Sequence, residues 1–305
     1  MAASGPAHPA FAASGIDRAA EERTHPALID ALRADPATRV LVVHGDHVPV
    51  TGGPRVRFIA PDEAVAAGDV EYWAFLGRDE GAGVLAAVVA SDAPAPALPD
   101  VRWGAVREIG GELDAREASI VVEALSLARW LLAAPFCSAC GTRTEVVQSG
   151  WARHCPGCGR EHFPRTDPAV IVAVTSADDP DRLLLGSNAA WPAGRYSCFA
   201  GFVEAGESLE AAVARELVEE AGVELVDVRY RGSQAWPYPR SLMLGFRATA
   251  RVDAAARADG EEIVEIRWFT RAEIGEAFAG REDIGLPGSA SIAYRLIRDW
   301  YEETV

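Results

Sequence analysis

The segment 201–223 places acidic residues and one arginine at fixed intervals between two glycines, and it constrains the fold more than any other part of the chain. It reads G-F-V-E-A-G-E-S-L-E-A-A-V-A-R-E-L-V-E-E-A-G-V. On a helix that begins near Ser208, three carboxylates stand at i, i+3 and i+4 and share one face: Glu216, Glu219 and Glu220. Such like charges repel unless a cation neutralises them. An apolar stripe on the opposite face would pack against a core: Leu209, Val213 and Leu217.

A solvated acidic helix face is the alternative interpretation, since glutamates on helices usually face water. The other residues of the segment favour a more specific structure. Gly201 and Gly206 permit unusual backbone angles in the loop before the helix, and Gly222 suits a C-terminal cap. Arg215 can pair with a carboxylate, that of Glu219 or Glu207, and fix its orientation. We therefore interpret the segment as a functional site.

The segment resembles the signature of the Nudix hydrolases, Gly-x5-Glu-x7-Arg-Glu-U-x-Glu-Glu-x-Gly-U with U aliphatic, at every specified position. The resemblance implies hydrolysis of a nucleoside diphosphate linked to another group, with Mg²⁺ or Mn²⁺ as cofactor. It assigns catalytic and metal-binding roles on the helix, with Glu220 nearest the attacking water: Arg215, Glu216, Glu219 and Glu220. Two further metal ligands are implied, the backbone carbonyl of Ala200 and the carboxylate of Glu262, although the adjacent Glu261 leaves the second choice open.

Four cysteines form two pairs with the spacing of a zinc ribbon. Cys137 and Cys140 are separated by two residues, as are Cys155 and Cys158, and fourteen residues lie between the pairs. This spacing is typical of tetrahedral structural zinc. Two disulfides or four buried free thiols are the alternatives, and both are disfavoured by the paired spacing and by the lack of a secretory signal. The fifth cysteine, Cys198, is expected to be a small buried residue.

A second motif follows the acidic segment at residues 233–241 and reads S-Q-A-W-P-Y-P-R-S. Its prolines fix the backbone, while Trp236 and Tyr238 offer rigid aromatic faces that can hold a planar base. In isolation, a proline-rich surface turn with a core tryptophan is the alternative interpretation. The motif resembles Ser-Gln-Pro-Trp-Pro-Phe-Pro-x-Ser of the NADH pyrophosphatase branch of the Nudix family, and departs from it at Ala235 and Tyr238.

This resemblance implies a set of substrate-binding residues. Eight lie in the motif: Gln234, Ala235, Trp236, Pro237, Tyr238, Pro239, Arg240 and Ser241. Two lie elsewhere: Phe163, where the branch often has a base-contacting tyrosine, and Ala293 on the last helix. The branch also carries an N-terminal domain and a four-cysteine zinc ribbon, so the resemblance covers most of the chain.

By the same likeness, the enzyme splits NADH or NAD into nicotinamide mononucleotide and AMP, removes NAD caps from RNA 5′ ends, and forms a homodimer. Whether free NADH or capped RNA is the main substrate stays open. Two alternatives remain: a Nudix pyrophosphatase of ADP-ribose or dinucleoside polyphosphates, and a non-catalytic nucleotide-sensing Nudix protein.

The order of predicted elements indicates an α/β protein of three parts after a disordered tail at 1–25. Strands and a long helix over 112–134 predict an N-terminal α/β domain at 26–134, followed by the zinc ribbon at 135–165. Strands on both sides of the acidic helix and an amphipathic helix over 289–303 predict an α/β/α sandwich at 166–305.

Composition limits the partners. A net charge of −16 argues against a broad nucleic-acid-binding surface, because affinity for phosphate backbones comes mainly from Lys and Arg. It is compatible with a phosphate ligand bridged by divalent cations. The chain contains no apolar run of transmembrane length, and its first 25 residues do not resemble a signal peptide. We therefore expect a cytoplasmic protein without a membrane partner.

Overall fold

The computed structural model describes residues 15–53, 55–281 and 283–303. They form two compact units. The first unit comprises residues 15–166 together with 236–240, and the second comprises residues 167–235 together with 241–303. None of the helices in these described ranges is long and apolar enough to cross a bilayer.

The first unit contains a mixed sheet with helices packed against it. Its strands are β1 (Arg39–His44), β2 (His47–Thr51), β3 (Arg55–Val56), β4 (Tyr72–Asp79), β5 (Ala82–Val89) and β6 (Arg102–Ala105). The sheet order is β3-β2-β1-β5-β4, with β6 also paired to β2, and β1 and β5 are parallel. Its helices are α1 (Leu28–Ala34), α2 (Pro61–Ala67), α3 (Val106–Ile109) and α4 (Ala115–Ala133).

The long helix α4 starts three residues later than predicted, because Asp114 caps it. The Asp114 side chain accepts a hydrogen bond from the N–H of Glu117 at 2.8 Å, which satisfies one of the free donors of the first turn. The helix ends before Pro135, as expected for a residue that cannot continue it. The helical periodicity of the sequence predicts an apolar side, and six of its residues are buried: Ile120, Val121, Ala124, Leu125, Ala128 and Leu131.

Part of the predicted disordered tail is ordered. Residues 1–14 lie outside the described residues, but 15–25 pack onto the first unit. Ile16 and Ala19 are buried, and Arg78 donates two hydrogen bonds to the carboxylate of Glu22 at 2.7 and 2.6 Å. The Ala- and Gly-rich composition does not predict these contacts, because they are made with residues that lie far away in the sequence.

The first unit also contains a small three-stranded sheet in the cysteine segment: β7 (Glu145–Val147), β8 (Ala152–His154) and β9 (Glu161–His162). Arg153 on β8 is 1% exposed, and no carboxylate among the described residues pairs with it. Its guanidinium instead donates to the carbonyls of Leu131, near the end of α4, and of Thr144. A cation suits this position because the last carbonyls of a helix carry partial negative charge.

The second unit is built on a six-stranded mixed sheet. Its strands are β10 (Asp167–Thr175), β11 (Arg182–Asn188), β12 (Phe199–Phe202), β13 (Leu225–Trp236), β14 (Ser241–Ala250) and β15 (Ile263–Thr270). The order is β13-β14-β10-β11-β15, with β12 also paired to β10, and β10 runs parallel to β14. Its helices are α5 (Leu209–Ala221), α6 (Arg271–Phe278) and α7 (Ile292–Glu302).

Alternate residues of β10 face two different helices. Val170, Val172 and Val174 belong to the core cluster that contains the buried side chains of α5. Ile171 and Ala173 belong to the cluster that contains those of α7. Since successive strand residues point to opposite faces of a sheet, the acidic helix and the last helix cover opposite faces. The predicted α/β/α sandwich is confirmed.

The two sheets repeat one succession of strands. In the first sheet, the central strand β1 is antiparallel to β2, the next strand along the chain, and parallel to β5, the second strand of a later hairpin. In the second sheet, β10 is antiparallel to β11 and parallel to β14 in the same way. The helix before that hairpin is α2 in the first unit and α5 in the second. The seven residues of α2 read P-D-E-A-V-A-A and lack the acidic cluster, so the first unit has the sheet without the candidate catalytic helix.

Candidate active site

Helix α5 begins and ends where the sequence predicts. Ser208 caps the N-terminus, since its hydroxyl accepts a hydrogen bond from the N–H of Ala211 at 3.2 Å. Gly222 ends the helix in the left-handed conformation with φ of 66°, and the N–H of Val223 returns to the carbonyl of Leu217 at 3.1 Å. Val213 and Leu217 are fully buried. The apolar stripe therefore anchors the helix and leaves the carboxylates on its other side.

Arg215 binds three carboxylates at once. Its Nε and Nη2 donate to the two oxygens of Glu207 at 2.9 and 3.0 Å, and its Nη1 donates to Glu216 at 2.9 Å and to Glu219 at 3.0 Å. A fifth hydrogen bond reaches the carbonyl of Phe202 at 2.9 Å. The arginine lowers the pKa of Glu207 through these hydrogen bonds. A bidentate guanidinium fixes carboxylate orientation, so Arg215 holds the loop before α5 and two carboxylates of the cluster.

Glu220 is the most deeply buried member of the cluster. It is 5% exposed, and its Oε2 atom is buried with no hydrogen-bond partner in the described part of the chain. Desolvation raises its pKa to about 8, with further contributions from the negative charges of Glu262, Glu216, Asp259 and Glu219. Burial of a carboxylate among other carboxylates is costly unless a cation compensates them.

Glu216 approaches the backbone of β12. Its side chain is 12% exposed, and its carboxylate lies where a Cβ atom on Gly201 would be. Desolvation also raises the pKa of Glu216, although its hydrogen bond with Arg215 opposes the change. Ala200, the predicted carbonyl ligand, immediately precedes Gly201 on β12 and pairs with Ile171 on β10. Only glycine at residue 201 leaves room for the carboxylate.

Glu219 and Glu262 form the exposed part of the cluster. The side chain of Glu219 is 59% exposed, and Glu262 lies directly before β15 on the surface. The charge of Glu262 is among the largest causes that raise the pKa of both Glu216 and Glu220, whereas that of Glu261 is not. This difference favours Glu262 over Glu261 as the further carboxylate. Hard carboxylate oxygens around an unpartnered buried oxygen are a donor set that fits Mg²⁺ or Mn²⁺.

The four paired cysteines meet in space. Their sulfur atoms all lie within 4.8 Å of one another, with Cys137 and Cys158 at 3.6 Å and Cys140 and Cys155 at 3.5 Å. A tetrahedron of thiolates around zinc has edges of about 3.8 Å, given a Zn–S bond of about 2.3 Å. The sulfur atoms therefore have the spacing of a closed zinc site.

His162 is an additional member of this cluster that sequence reasoning missed. Its Nε2 lies 3.2 Å from Sγ of Cys137, four residues after the last cysteine. A donor there would reduce the charge on a metal-bound thiolate. The sequence offered one signal, a histidine close to a zinc motif, but the fold was needed to bring the two side chains together.

Some of the predicted substrate residues lie in the second unit: Gln234, Ala235, Ser241 and Ala293. Gln234 is 1% exposed. Its amide donates to the carbonyl of Ala290 at 2.7 Å and accepts from the N–H of Ile292 at 2.6 Å. These bonds give Gln234 a clear role at the start of α7, where the first N–H groups need acceptors. Ser241 and Ala293 are also buried.

The remaining motif residues, 236–240, pack within the first unit. Trp236 meets Tyr238 edge to face, with ring centroids 5.1 Å apart. The guanidinium carbons of Arg107 and Arg129 lie 4.5 and 5.0 Å from the centroid of Tyr238, and Arg129 also pairs with Asp46. Cation–π contacts with the two arginines thus stabilise the position of the tyrosine ring. No local sequence pattern connected these arginines with the motif.

Pro237, Pro239 and Arg240 complete this segment. Pro239 and Arg240 line a cavity of about 370 Å³ with Asp46, Arg129 and Trp130. Phe163, predicted from the resemblance to stack on a base, also lies in the first unit and is 42% exposed. Its exposed ring is available for stacking, and its role stays a prediction.

Three family descriptions match consecutive parts of the chain. The NUDIX domain matches residues 165–285, the NADH pyrophosphatase zinc ribbon domain matches 133–163, and the NADH pyrophosphatase-like rudimentary NUDIX domain matches 37–130. The last match agrees with the repeated succession of strands in the two sheets.

The chain is also similar to individual proteins. It is 41% identical to the NAD-capped RNA hydrolase NudC of Mycobacterium bovis, over 96% of this chain and 94% of that protein. It is 38% identical to the human NAD-capped RNA hydrolase NUDT12, over 62% of this chain and 43% of that protein. Among solved structures, a NUDIX hydrolase from Nitrosomonas europaea covers 50% of this chain and 96% of its own, at 25% identity and a TM-score of 0.38.

Proposed function

Because this chain belongs to the Nudix hydrolase family, in the group with an NADH pyrophosphatase zinc ribbon, we propose that it hydrolyses the pyrophosphate bond of NADH or NAD. Water adds to one phosphorus atom and the bridging P–O bond breaks. The products are AMP and nicotinamide mononucleotide, which is in its reduced form when the substrate is NADH. The observation that carries the proposal is the buried carboxylate of Glu220, which has an unpartnered oxygen and lies among other carboxylates.

The residues expected to hold Mg²⁺ or Mn²⁺ are those of the acidic cluster, with one backbone carbonyl: Ala200, Glu216, Glu219, Glu220 and Glu262. When bound, the cation neutralises the negative charge of the pyrophosphate and lowers the pKa of a coordinated water. Glu220 is the candidate for taking the proton of the attacking water, because it is the most buried carboxylate of the acidic cluster. With a cation nearby, its pKa would fall and the carboxylate would be ionised at neutral pH.

Arg215 supports this chemistry without touching the substrate. Its hydrogen bonds to Glu216 and Glu219 fix the two carboxylates in one orientation, and its two bonds to Glu207 tie the helix to the preceding loop. Groups that are held in place before the reaction need no reorganisation during it. We therefore assign Arg215 a positioning role.

The proposed substrate specificity rests on the aromatic motif. Trp236 and Tyr238 offer ring faces of the kind that stack on nucleotide bases, and the relatives named above are NAD-capped RNA hydrolases. We therefore include NAD caps at RNA 5′ ends as substrates. The net charge of −16 is poorly suited to RNA binding along its length, which favours recognition of the cap itself. The family likeness supports a cytoplasmic homodimer.

Product analysis tests the proposal. The purified protein with Mg²⁺ or Mn²⁺ is incubated separately with NADH, NAD, ADP-ribose and NAD-capped RNA, and the products are separated by chromatography. We expect AMP and reduced nicotinamide mononucleotide from NADH, and a 5′-monophosphate on the RNA. Preferred turnover of ADP-ribose or of dinucleoside polyphosphates would instead indicate a different Nudix pyrophosphatase. Tight NAD binding without any product would indicate a nucleotide sensor.

A further inference from the structure

Asp259 lies in the loop between β14 and β15, and its carboxylate binds the backbone of the residues that follow it. Its Oδ1 accepts hydrogen bonds from three consecutive N–H groups: those of Glu261 at 2.8 Å, Glu262 at 3.1 Å and Ile263 at 2.9 Å. A side-chain oxygen that accepts successive amides in this way fixes the conformation of the turn. The backbone of Glu262 is therefore held by a side chain that belongs to neither sequence motif.

The same turn is bound to the helix and to the neighbouring strand. The N–H of Asp259 donates to the carbonyl of Glu220 at 3.3 Å. The carbonyl of Glu262 accepts from the N–H of Ala189, just after β11, at 2.9 Å. The side-chain amide of Asn188 lies 3.4 Å from Oε1 of Glu262. The turn thus connects the end of α5 to the end of β11, at the point where Glu262 precedes β15.

We infer that Asp259 is a positioning residue: its Oδ1 holds the turn 259–263 so that the carboxylate of Glu262 faces Glu220 and Glu216. The inference rests on the proposed function in one respect, namely that these carboxylates bind a divalent cation. The inferred role of Asp259 is exerted through Glu262, because its Oδ1 accepts hydrogen bonds from three N–H groups of the turn that carries Glu262. Groups that orient metal ligands in this way typically contribute 10- to 100-fold in metal affinity or activity.

Three variants separate positioning from direct ligation. Asp259→Ala removes the acceptor, whereas Asp259→Asn keeps an oxygen at the same position and removes the charge. Asp179→Ala is the matched control, because Asp179 also lies in the second unit and its Oδ1 accepts one turn hydrogen bond from Asp181 at 3.0 Å, outside the acidic cluster. Mn²⁺ affinity is measured by electron paramagnetic resonance without substrate, and amide hydrogen exchange is followed for residues 261–263.

We expect Asp259→Ala to weaken Mn²⁺ binding by about tenfold or more and to accelerate exchange of the three amides. Asp259→Asn should stay within about threefold of the wild type in both measurements, since it retains the acceptor, and Asp179→Ala should match the wild type. Hydrolysis of the dinucleotide should then fall in kcat for Asp259→Ala with little change in KM.

Two results would overturn the inference. The first is an Asp259→Ala protein whose amide exchange and Mn²⁺ affinity equal those of the wild type. The second is an Asp259→Asn protein that keeps slow exchange but loses Mn²⁺ as completely as the alanine variant, which would make Asp259 a ligand. Because Mn²⁺ binding and exchange need no substrate, they are independent of whether NADH is the substrate. If Asp259→Ala does not fold, the comparison of Asp259→Asn with the wild type still separates the two roles.

Discussion

The carboxylate of Glu216 occupies the position that a Cβ atom on Gly201 would need, so helix α5 and strand β12 meet without an intervening side chain. Gly201 and Glu216 are both fixed positions of the Nudix signature. Their contact gives a physical reason for the spacing between them: the glycine lets the carboxylate of Glu216, a candidate metal ligand, approach the strand whose Ala200 carbonyl is a further candidate ligand.

Gly201→Ala should therefore impair catalysis more than stability. The new methyl group must displace the Glu216 carboxylate, and a misplacement of about 1 Å at a reacting centre can cost on the order of 100-fold in rate. Overpacking should cost about 1–3 kcal/mol in the free energy of unfolding. The control is Gly288→Ala, since an added Cβ there meets nothing within 4 Å. Activity of Gly201→Ala within a few-fold of the wild type would show that the close approach is unimportant.

Glu123 on α4 should make stability depend on pH. Desolvation raises its pKa from 4.5 to about 7, against the opposing charges of Arg18 and Arg23. Between these two values the unfolded chain releases the proton while the folded protein keeps it, so the free energy of unfolding falls as the pH rises. The loss should level off above pH 7, at up to about 3 kcal/mol.

Glu123→Gln should remove most of this dependence, because the amide stays neutral. Urea unfolding of both proteins at pH 5 and pH 8 measures the free energy of unfolding. The variant should gain stability relative to the wild type at pH 8. An equal pH dependence in the two proteins would place the titrating group elsewhere.

The cysteine cluster should support folding and have no direct part in catalysis. Four thiolates complete a zinc tetrahedron and leave no position for water. Cys137→Ser should lower the zinc content, the melting temperature and the yield of folded protein. Cys198→Ala is the control, because Cys198 is buried outside the cluster. Elemental analysis that finds no zinc in the wild type, or a stable Cys137→Ser protein that loses only catalysis, would contradict this role.

Trp236→Ala tests substrate recognition. If the ring stacks on a nucleotide base, its loss should weaken binding of NADH by roughly 1–3 kcal/mol and appear chiefly in KM or kcat/KM. A short diphosphate that lacks the nicotinamide half should be much less affected. Equal losses on both substrates together with a lower melting temperature would instead make Trp236 a structural residue. Tyr238→Phe keeps the ring that contacts Arg107 and Arg129 and should leave KM nearly unchanged.

The local parts of the site could be predicted from the sequence. The limits of α5 follow from a serine cap, helical periodicity and a C-terminal glycine, and the zinc cluster follows from cysteine spacing. Helix α6 was missed although its signal is local: Thr270 and Glu273 form a capping box directly after β15.

The contacts that bring distant segments together could not be predicted. The N–H of Asp259 reaches the carbonyl of Glu220, Arg129 reaches Tyr238, and His162 meets Cys137 only because the fold places them together. The burial of Ile16 has the same origin. Periodicity and spacing report local geometry, whereas these contacts depend on sheet order and loop paths.

The measurement that tests the account most directly is the Mg²⁺- or Mn²⁺-dependent hydrolysis of NADH by wild type and Glu220→Gln. The substitution keeps the volume of the side chain and removes the charge, so the protein should fold with an unchanged melting profile in chelator at low pH. We predict a loss of kcat on the order of 100-fold or more, with AMP and reduced nicotinamide mononucleotide as the only products of the wild type. A Glu220→Gln protein that hydrolyses NADH within a few-fold of the wild-type rate would contradict the central role of this buried carboxylate.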